Sequence, residues 1–462
     1  MKSNSSATMP RCFTNRGVYT SSRCVAAAAL VILATIAAAR AHAVEPQLVT
    51  HEQAARHGLE RAWFAQIPVD ASRSRVTTWF LYFDRIYGVT NSGIVTALNA
   101  ETGEQLWTKQ VGKPGYPAFG PGANADFLGV VSGSTLYMLN RHDGRLAWRR
   151  QLGSAPSSGP ALSNKYAYVA MVTGRIEGYE LENPATQPWY YQSSGRTFLR
   201  PTVTGEVVSW PTSTGYLYAG RAEEPGVLYR LETSADIVTS PAAMEPYLYI
   251  ASLDGYLYCL HQFTGDEQWR FSTGYAIESS PAIVAGNAYV ASIEPAIHAL
   301  DAKTGKELWA VAGASHFAAQ GKSRVYASDR FGNLVVLDAK SGAVVSRMPV
   351  GEGQSTLVND QSDRIFLVND RGLVQCLHEI GAGQATLYRQ PPAPPSDETG
   401  AATEGAAPEV NPFDEGEAAE PDAAGDEPSP FEPEEGAMED APPDAVEEPA
   451  EEPADEDNPF PI

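Results

Sequence analysis

The chain has 462 residues, and its 56 Asp and Glu against 33 Lys and Arg give a net charge of −23 at pH 7. The acid excess is confined to residues 391–462, which hold 24 Asp and Glu and no Lys or Arg, so the remainder carries about +1. Phosphate binding needs clustered cations, which excludes nucleic acid as the main ligand of this near-neutral body. A hydrophobic content of 43% is that of a globular protein with a sizeable core.

Residues 1–43 have the organisation of a signal peptide. A basic region ending at Arg23 precedes an apolar run over residues 25–39, and Ala41-His42-Ala43 offers an A-x-A cleavage site. The run of about 15 residues is shorter than the roughly 20 that a membrane-spanning helix needs. We therefore expect an exported protein of the periplasm or cell envelope, with an uncleaved membrane anchor as the alternative.

The segment that follows, residues 44–58, predicts one short helix. Thr50-His-Glu-Gln53 is a capping box, whose side chains satisfy free N–H groups at a helix start. Gly58 is a typical helix stop. These signals predict a helix over residues 51–57.

A repeat of about forty residues occupies most of the chain. Residues 93–107 (GIVTALNAETGEQLW) recur as residues 255–269 (GYLYCLHQFTGDEQW), and residues 297–309 (IHALDAKTGKELW) match all but the opening of the pattern. Weaker copies bring the number of units to eight, which begin at Gly93, Gly133, Gly174, Gly215, Gly255, Glu294, Gly332 and Gly372. These positions are 38 to 41 residues apart, a period typical of propeller blades.

Each unit predicts four strands. In the copy that begins at Gly255, residues 256–260 alternate as a strand does, and Thr264-Gly265 supplies the positive-φ position of a hairpin turn. The next strand carries Trp269, which we interpret as packing between neighbouring blades. Upstream of each unit lie a short strand that opens near Pro and a second strand, such as residues 287–291. Four strands in about 40 residues make one propeller blade.

The predicted fold class is therefore all-β, an eight-bladed β-propeller of four-stranded antiparallel blades over residues 59–379. Seven blades is the alternative if the unit that begins at Gly215, which has Tyr229 in the place of Trp, forms no blade.

Ring closure can also be predicted. The last unit, from Gly372, lacks an outer strand, while residues 59–67 resemble a fourth strand without a blade. Pairing residues 59–67 with residues 372–379 would close the ring and remove the exposed edges that an open array leaves.

The pattern Gly-x-(Leu/Ile/Val)-x-Ala-Leu-(Asp/Asn)-Ala-x-Thr-Gly-x-x-Leu-Trp resembles the pyrroloquinoline-quinone (PQQ) repeat, which is WD40-like, over most of residues 59–379. One branch of that family comprises quinoprotein dehydrogenases, which hold PQQ and Ca²⁺ on an eight-bladed ring and oxidise alcohols or sugars. The other branch is non-enzymatic and includes the propeller subunit of the outer-membrane β-barrel assembly machinery, which binds partner proteins.

Several features favour the non-enzymatic branch. Units of 38–41 residues leave no room for long insertions around a cofactor, and neither Cys259 nor Cys376 has a neighbouring Cys. Calcium needs six to eight oxygen ligands, whereas Asp236 and Glu278 are the acids near the inner-strand starts of the central blades. We expect no catalytic residue, cofactor or metal, with PQQ and Ca²⁺ as the alternative.

Three residues are candidates for lining the central funnel of the ring. Arg200, Glu278 and His316 lie near inner-strand starts in the repeat register. A merely solvated channel mouth is the other interpretation. Cys259 and Cys376 occupy the place of Ala97 in the first unit, a buried small-residue position, and we expect both to be free thiols because they lie three blades apart.

Residues 380–462 are predicted to be an acidic, Pro-rich disordered tail, since their composition cannot bury enough surface to fold. Three Pro-Phe motifs stand out as candidate docking motifs: Asn411-Pro412-Phe413, Ser429-Pro430-Phe431 and Asn458-Pro459-Phe460. A solvated spacer with incidental aromatic residues is the alternative interpretation.

Together these features predict a non-catalytic interaction scaffold of the cell envelope, with a rigid propeller and a multivalent tail. The expected partners are envelope proteins bound through the propeller face and the tail motifs. Nucleic acid is not expected, and membrane association would come through partners or an uncleaved N-terminal segment. The alternative functions are a PQQ-dependent dehydrogenase and a sensor of small ligands or glycans.

Overall fold

The computed structural model describes residues 48–390 apart from residues 71, 295 and 352. Within this part of the chain, eight four-stranded antiparallel sheets form the eight-bladed β-propeller that the repeat spacing predicts. The predicted signal segment and the three predicted tail motifs lie outside the described residues.

One helix, α1 (His51–Arg56), precedes the strands of the described residues. The strand before the first blade and the strands of blades one to four are β1 (Leu59–Gln66), β2 (Val76–Tyr82), β3 (Arg85–Thr90), β4 (Ile94–Asn99), β5 (Gln105–Gln110), β6 (Gly122–Ala123), β7 (Phe127–Ser132), β8 (Thr135–Asn140), β9 (Leu146–Gln151), β10 (Ala161–Leu162), β11 (Tyr166–Ala170), β12 (Arg175–Glu180), β13 (Trp189–Gln192), β14 (Thr202–Thr204), β15 (Val207–Pro211), β16 (Tyr216–Arg221) and β17 (Val227–Glu232). The strands of blades five to eight are β18 (Ala242–Met244), β19 (Tyr247–Ala251), β20 (Tyr256–His261), β21 (Glu267–Ser272), β22 (Ala282–Val284), β23 (Asn287–Ser292), β24 (Ala296–Asp301), β25 (Glu307–Ala312), β26 (His316–Gln320), β27 (Arg324–Ser328), β28 (Asn333–Asp338), β29 (Val344–Pro349), β30 (Gln354–Leu357), β31 (Ile365–Asn369) and β32 (Leu373–Glu379).

The strand order divides the connections between two faces of the ring. Each of the first seven blades is an antiparallel meander in chain order, such as β2-β3-β4-β5. The connections between first and second strands and between third and fourth strands therefore lie at one face, named here the lower face. The turns between second and third strands and the loops from blade to blade lie at the other, the upper face.

The closure of the ring is as predicted. In the eighth sheet the strand order is β1-β32-β31-β30, so the N-terminal strand is the outermost strand of the last blade. Its register runs from Leu59 opposite Glu379 to Gln66 opposite Leu373, with one bulge. The two ends of the propeller thus pair in one sheet, and no blade is left with an unpaired third strand.

The two central strands of each blade are buried on both sides. In β20, Leu257 to Leu260 are four consecutive buried residues, and β31 begins with four more. Sheets that pack face to face on both sides leave no solvent face for these strands, so continuous burial replaces the alternation of a half-exposed strand. The outermost strands, such as β21, keep the alternation because their outer residues meet solvent.

Tryptophan side chains pack between neighbouring blades, as the repeat predicts. Trp309 donates from Nε1 to the carbonyl of Ala339 in the next blade at 3.0 Å, and its indole covers the turn glycine Gly342. A Cβ on Gly342 would lie 2.7 Å from Trp309 Cδ2, and φ there is 71°, so no other residue fits without strain. The same contact joins Trp63 to Gly103, Trp107 to Gly144, Tyr229 to Gly265 and Trp269 to Gly305.

Tyr229 therefore takes the place of Trp in the fourth blade. The seven-blade alternative is wrong, because β14 to β17 form a complete sheet. The ring of Tyr229 packs on Gly265 as the indoles do on their glycines.

The predicted helix is present over residues 51–56, one residue shorter than expected. The Thr50 hydroxyl accepts from the Gln53 N–H at 3.1 Å, which is the N-cap half of the predicted box. The Gln53 side chain instead donates to Pro349 O in the seventh blade, and Arg324 donates to His57 O. The segment is thereby fastened to the ring. Within the described residues, no helix is long and apolar enough to cross a membrane.

Cys259 and Cys376 are both buried free thiols, in β20 of blade five and β32 of blade eight. Burial raises the pKa of Cys259 to about 12 and raises the pKa of Cys376 as well. Both thiols are therefore protonated at neutral pH.

Replacing Trp309 by Ala should lower the free energy of unfolding by about 3–5 kcal/mol, since a buried indole and its hydrogen bond are lost. The denaturant midpoint measures this loss. Leu308→Ala is the matched control, because Leu308 is adjacent but exposed and its removal should change stability by less than about 0.5 kcal/mol. Equal midpoints for the two variants would contradict the role of the inter-blade contact.

Alkylation of native protein at pH 8 should leave Cys259 and Cys376 unmodified, because burial blocks access and leaves only about one thiol in 10⁴ ionised for a pKa of about 12. After denaturation without reductant, both should react completely. Peptide mass spectrometry gives the extent at each site. A disulfide-linked peptide containing both cysteines would show that the blade order is different.

Candidate functional site

A cavity of about 1070 Å³ lies on the ring axis. Its walls are the ends of the innermost strands and the turns that follow them, among them residues 80–83, 122–124, 161–164, 200–205 and 243–245. Because innermost strands end at the lower face, the cavity belongs to that face. The walls combine apolar groups with a small number of polar groups, which is the composition of ligand sites in general.

Arg200 forms the deep end of this cavity. It precedes β14 in the fourth blade, yet its Nη1 donates to Pro121 O beside the second blade at 2.5 Å. Its guanidinium also lies 4.7 Å from the centre of the Phe80 ring in the first blade. Arg200 therefore reaches from the fourth blade to the first and second blades.

The charge of Arg200 is uncompensated by any carboxylate of residues 48–390. Burial lowers the pKa of Arg200 to about 10, with no charged neighbour contributing. The cavity has one carboxylate in its lining, Glu245, which is exposed at the lower face. A guanidinium has five N–H donors, and one of those of Arg200 is used by Pro121.

Three other polar groups of the wall are used in bracing it. Asn124 donates to Ser163 O at 2.8 Å, and Gln361 accepts from the Phe83 N–H at 2.6 Å. The Thr202 hydroxyl donates to Pro241 O at 3.2 Å. Arg200 adds a guanidinium with N–H donors left over after its bond to Pro121 O.

An extended segment, residues 380–390, named here the strap, crosses the lower face from the end of β32 to the cavity. Leu387 forms an isolated β-bridge with Ser362, and Tyr388 donates from its N–H to Gln361 O at 2.8 Å. The Tyr388 hydroxyl donates to Gln320 O at 2.9 Å. These contacts place Tyr388 and the two residues after it in the cavity lining. The first eleven residues assigned to the predicted tail thus lie against the ring.

Two arginines hold the strap. Arg364, which is almost fully buried, donates to the carbonyls of Ala382 and Gly383. Arg364 also pairs with Glu101 of the first blade at 3.1 Å. Farther along, Arg389 pairs with Asp360 at 2.5 Å. The strap therefore carries its own cation and places it beside an acid of the ring.

The structure places the three funnel candidates on different faces. Arg200 lines the axial cavity. Glu278 lies in the loop before β22 and His316 is the first residue of β26, and both are exposed at the upper face rather than in the cavity lining. The strap residues in the lining were not recognised from the sequence, because they lie in a segment that composition assigns to the tail.

The upper face carries a second feature that sequence reasoning missed. Seven large apolar side chains on its turns and loops are 40–76% exposed: Tyr116, Val172, Phe198, Val238, Tyr275, Ile293 and Phe331. They lie in seven separate turns and loops of the sequence, so no local signal reveals that the fold places them all on one face. Exposed apolar residues grouped in this way are typical of protein-binding surfaces.

Among residues 48–390, no group of three or more His, Cys, Asp or Glu side chains is arranged to hold a metal ion. His298 pairs instead with Glu307 of the neighbouring strand at 2.9 Å, and His378 contacts the carbonyl of Glu379.

Comparison with known families gives one match over most of the propeller. Residues 91–236 and 226–387 match the family described as outer membrane protein assembly factor BamB. Among curated proteins, the outer membrane protein assembly factor BamB of Burkholderia pseudomallei is 26% identical over 133 residues. That alignment covers 26% of this chain and spans about a third, 34%, of the relative.

Solved structures share the fold at low identity. BamB from Moraxella catarrhalis matches with a TM-score of 0.56 and 17% identity, covering 69% of this chain and 99% of that one. The computationally designed Ika8 protein matches with a TM-score of 0.55 and 13% identity, covering 68% and 98%. The C-terminal WD40 domain of Sif2 matches with a TM-score of 0.54 and 11% identity, covering 69% and 98%.

Proposed function

The chain belongs to the PQQ-repeat family described as outer membrane protein assembly factor BamB, and from that premise we propose that it is a non-catalytic protein-interaction scaffold of the cell envelope. The observation that carries this proposal is the group of seven exposed apolar side chains on the upper face. A protein that leaves such side chains in water gains free energy when a partner covers them.

The ring suits this role because it is rigid. Its blades are joined through buried indole–glycine contacts, and its two ends pair in one sheet. Loops held on such a scaffold lose little conformational entropy when they bind, which favours affinity. A flat ring face with aromatic residues can therefore act as a docking platform without further folding.

The acidic tail extends the proposal. Its three Pro-Phe motifs would act as repeated weak anchors for envelope partners, since the preceding Pro already restricts the backbone. Several motifs on one chain raise avidity through effective concentration without any strong single contact. The acids around them would steer the tail to basic surfaces. Export to the periplasm or cell envelope, by the signal segment, is part of the same proposal.

A variant with Phe198→Ser and Tyr275→Ser tests the upper face. Because both side chains are exposed, the melting temperature should be unchanged. Each truncated aromatic side chain should cost ~1–2 kcal/mol of binding free energy. Capture of envelope proteins from solubilised extract should therefore fall at least about tenfold. Quantitative mass spectrometry of the captured proteins provides the measurement.

The matched control replaces two equally exposed residues on outermost strands, Leu308→Ser and Val345→Ser, and should capture the same proteins as the unaltered chain. If the upper-face variant also captures them undiminished, or if the control loses them equally, the upper face is not the docking surface.

Replacing Phe413, Phe431 and Phe460 together by Ala tests the tail. Melting should again be unchanged, because these residues lie beyond the ring, while partners that depend on the tail should be lost from the same capture experiment. Recovery of identical proteins with the triple variant would make the tail a spacer.

A further inference from the structure

The axial cavity contains a charge that the fold leaves unpaired. Arg200 contacts Pro121 O and the Phe80 ring. A side chain with a neutral N–H donor could make both contacts. Arg200 is half-buried in the cavity wall, so its uncompensated charge is partly removed from water, at a desolvation cost that packing alone does not recover. A residue that only filled this space would avoid the cost by being apolar. The retained charge therefore indicates a ligand that brings the opposite one.

The chemistry of the wall defines that ligand. A guanidinium with free N–H donors binds a carboxylate in a bidentate geometry. Around it, Phe80, Met244 and Ile283 supply an apolar wall. Asn124, Gln361 and Thr202 are engaged with the protein itself. Asn164, Thr204 and Gln390 also line the cavity, and their side chains can hydrogen-bond the main chain of a peptide. The site thus suits one carboxylate next to an apolar or aromatic body.

The strap shows that an extended peptide lies in this place. It pairs by main-chain hydrogen bonds with the connection between β30 and β31, inserts the Tyr388 ring, and presents Arg389 to Asp360. It lines one side of the cavity, while Arg200 lies in the rest of the lining with no acid to pair with. A second extended segment with the opposite charge would complete the arrangement.

We propose that the axial cavity binds an extended acidic peptide segment, whose carboxylate pairs with Arg200 and whose aromatic side chain packs against Phe80 and Met244. Two sequences of this chemistry occur in the chain itself, Pro412-Phe413-Asp414 and Pro430-Phe431-Glu432. The same chemistry can also come from another protein. The mouth of this site lies at the lower face, opposite the loops proposed for partner docking. Its deep end is Arg200, which follows the upper-face residue Phe198 by two positions.

The test is a titration of the full chain with a fluorescein-labelled peptide of residues 408–417, PEVNPFDEGE, followed by fluorescence anisotropy. Arg200→Gln should weaken binding at least about tenfold, because a charge-assisted hydrogen-bonded pair is lost. Arg230→Gln is the matched control. Arg230 also lies over an aromatic ring, that of Tyr216 at 4.4 Å, but outside the cavity lining, so its replacement should leave the affinity unchanged.

A peptide with Asp414→Asn and Glu415→Gln completes a double-mutant cycle. This peptide keeps Glu409 and Glu417 but lacks the two acids next to Phe413. It should bind the unaltered chain about tenfold more weakly and should bind the Arg200→Gln variant with no further loss, since both changes remove the same pair. Glu245→Gln is a second variant, and its expected effect on the affinity is in the opposite direction. It removes an exposed acid at the mouth and should strengthen binding of the acidic peptide about twofold.

The full chain carrying Phe413→Ala, Phe431→Ala and Phe460→Ala separates the two sources of the segment. Tighter binding of added peptide than by the unaltered chain identifies the chain's own tail as a competitor, and equal binding assigns the segment to another protein. Absence of saturable binding, or equal affinity of the unaltered chain and Arg200→Gln for the acidic peptide, overturns the proposal. Because the isolated chain is used, neither result depends on capture of an envelope partner.

Discussion

The contact between an aromatic ring of one blade and the turn glycine of the next is the interaction on which the rest of the ring depends. A blade alone is a small four-stranded sheet with two apolar faces, which cannot be stable in water. The indole covers the glycine and also hydrogen-bonds to a main-chain carbonyl of the next blade, as Trp309 does with Ala339. The ring–glycine contact joins five of the eight pairs of neighbouring blades that the structure describes, and pairing of β1 with β32 removes the two free ends.

This arrangement separates two surfaces of different chemistry. Turns and blade-to-blade loops gather exposed apolar side chains at the upper face, while innermost-strand ends and the strap enclose the axial cavity at the lower face. At the lower face, the buried Arg364 side chain pairs with Glu101 of the first blade. It also donates hydrogen bonds to two carbonyls of the strap. The upper face is braced as well, since Arg347 pairs with buried Asp329 and donates to the Gly313 carbonyl. The seven apolar side chains of that face are nevertheless exposed and remain available to a partner.

Blade number, closure and helix position could be predicted from sequence because each depends on local signals. Gly turns, alternating strands and a capping box recur at fixed spacing, and Tyr229 takes the place of Trp without loss of the blade. The candidate site was harder to predict. Register alone puts Arg200, Glu278 and His316 near strand starts, but it does not say that the long Arg200 side chain reaches the first and second blades while the other two stay in solvent. The strap was missed because its composition resembles that of the tail and its contacts depend on main-chain pairing with the connection between β30 and β31.

The position of the strap has a consequence for how the two surfaces work together. Arg364 and Asp360 hold residues 380–390 so that Gln390 lines the cavity, and the chain therefore leaves the ring at its axis rather than at its rim. Connections of the lower face and loops of the upper face lie at opposite ends of the same strands. A peptide would enter the cavity from the lower face, while a partner would cover the loops of the upper face. Residues 198–200 connect the two surfaces, because Phe198 is exposed at the upper face and Arg200 lines the cavity. Coupling between a partner and a bound peptide would therefore pass through this short segment, which is held by tightly packed blades.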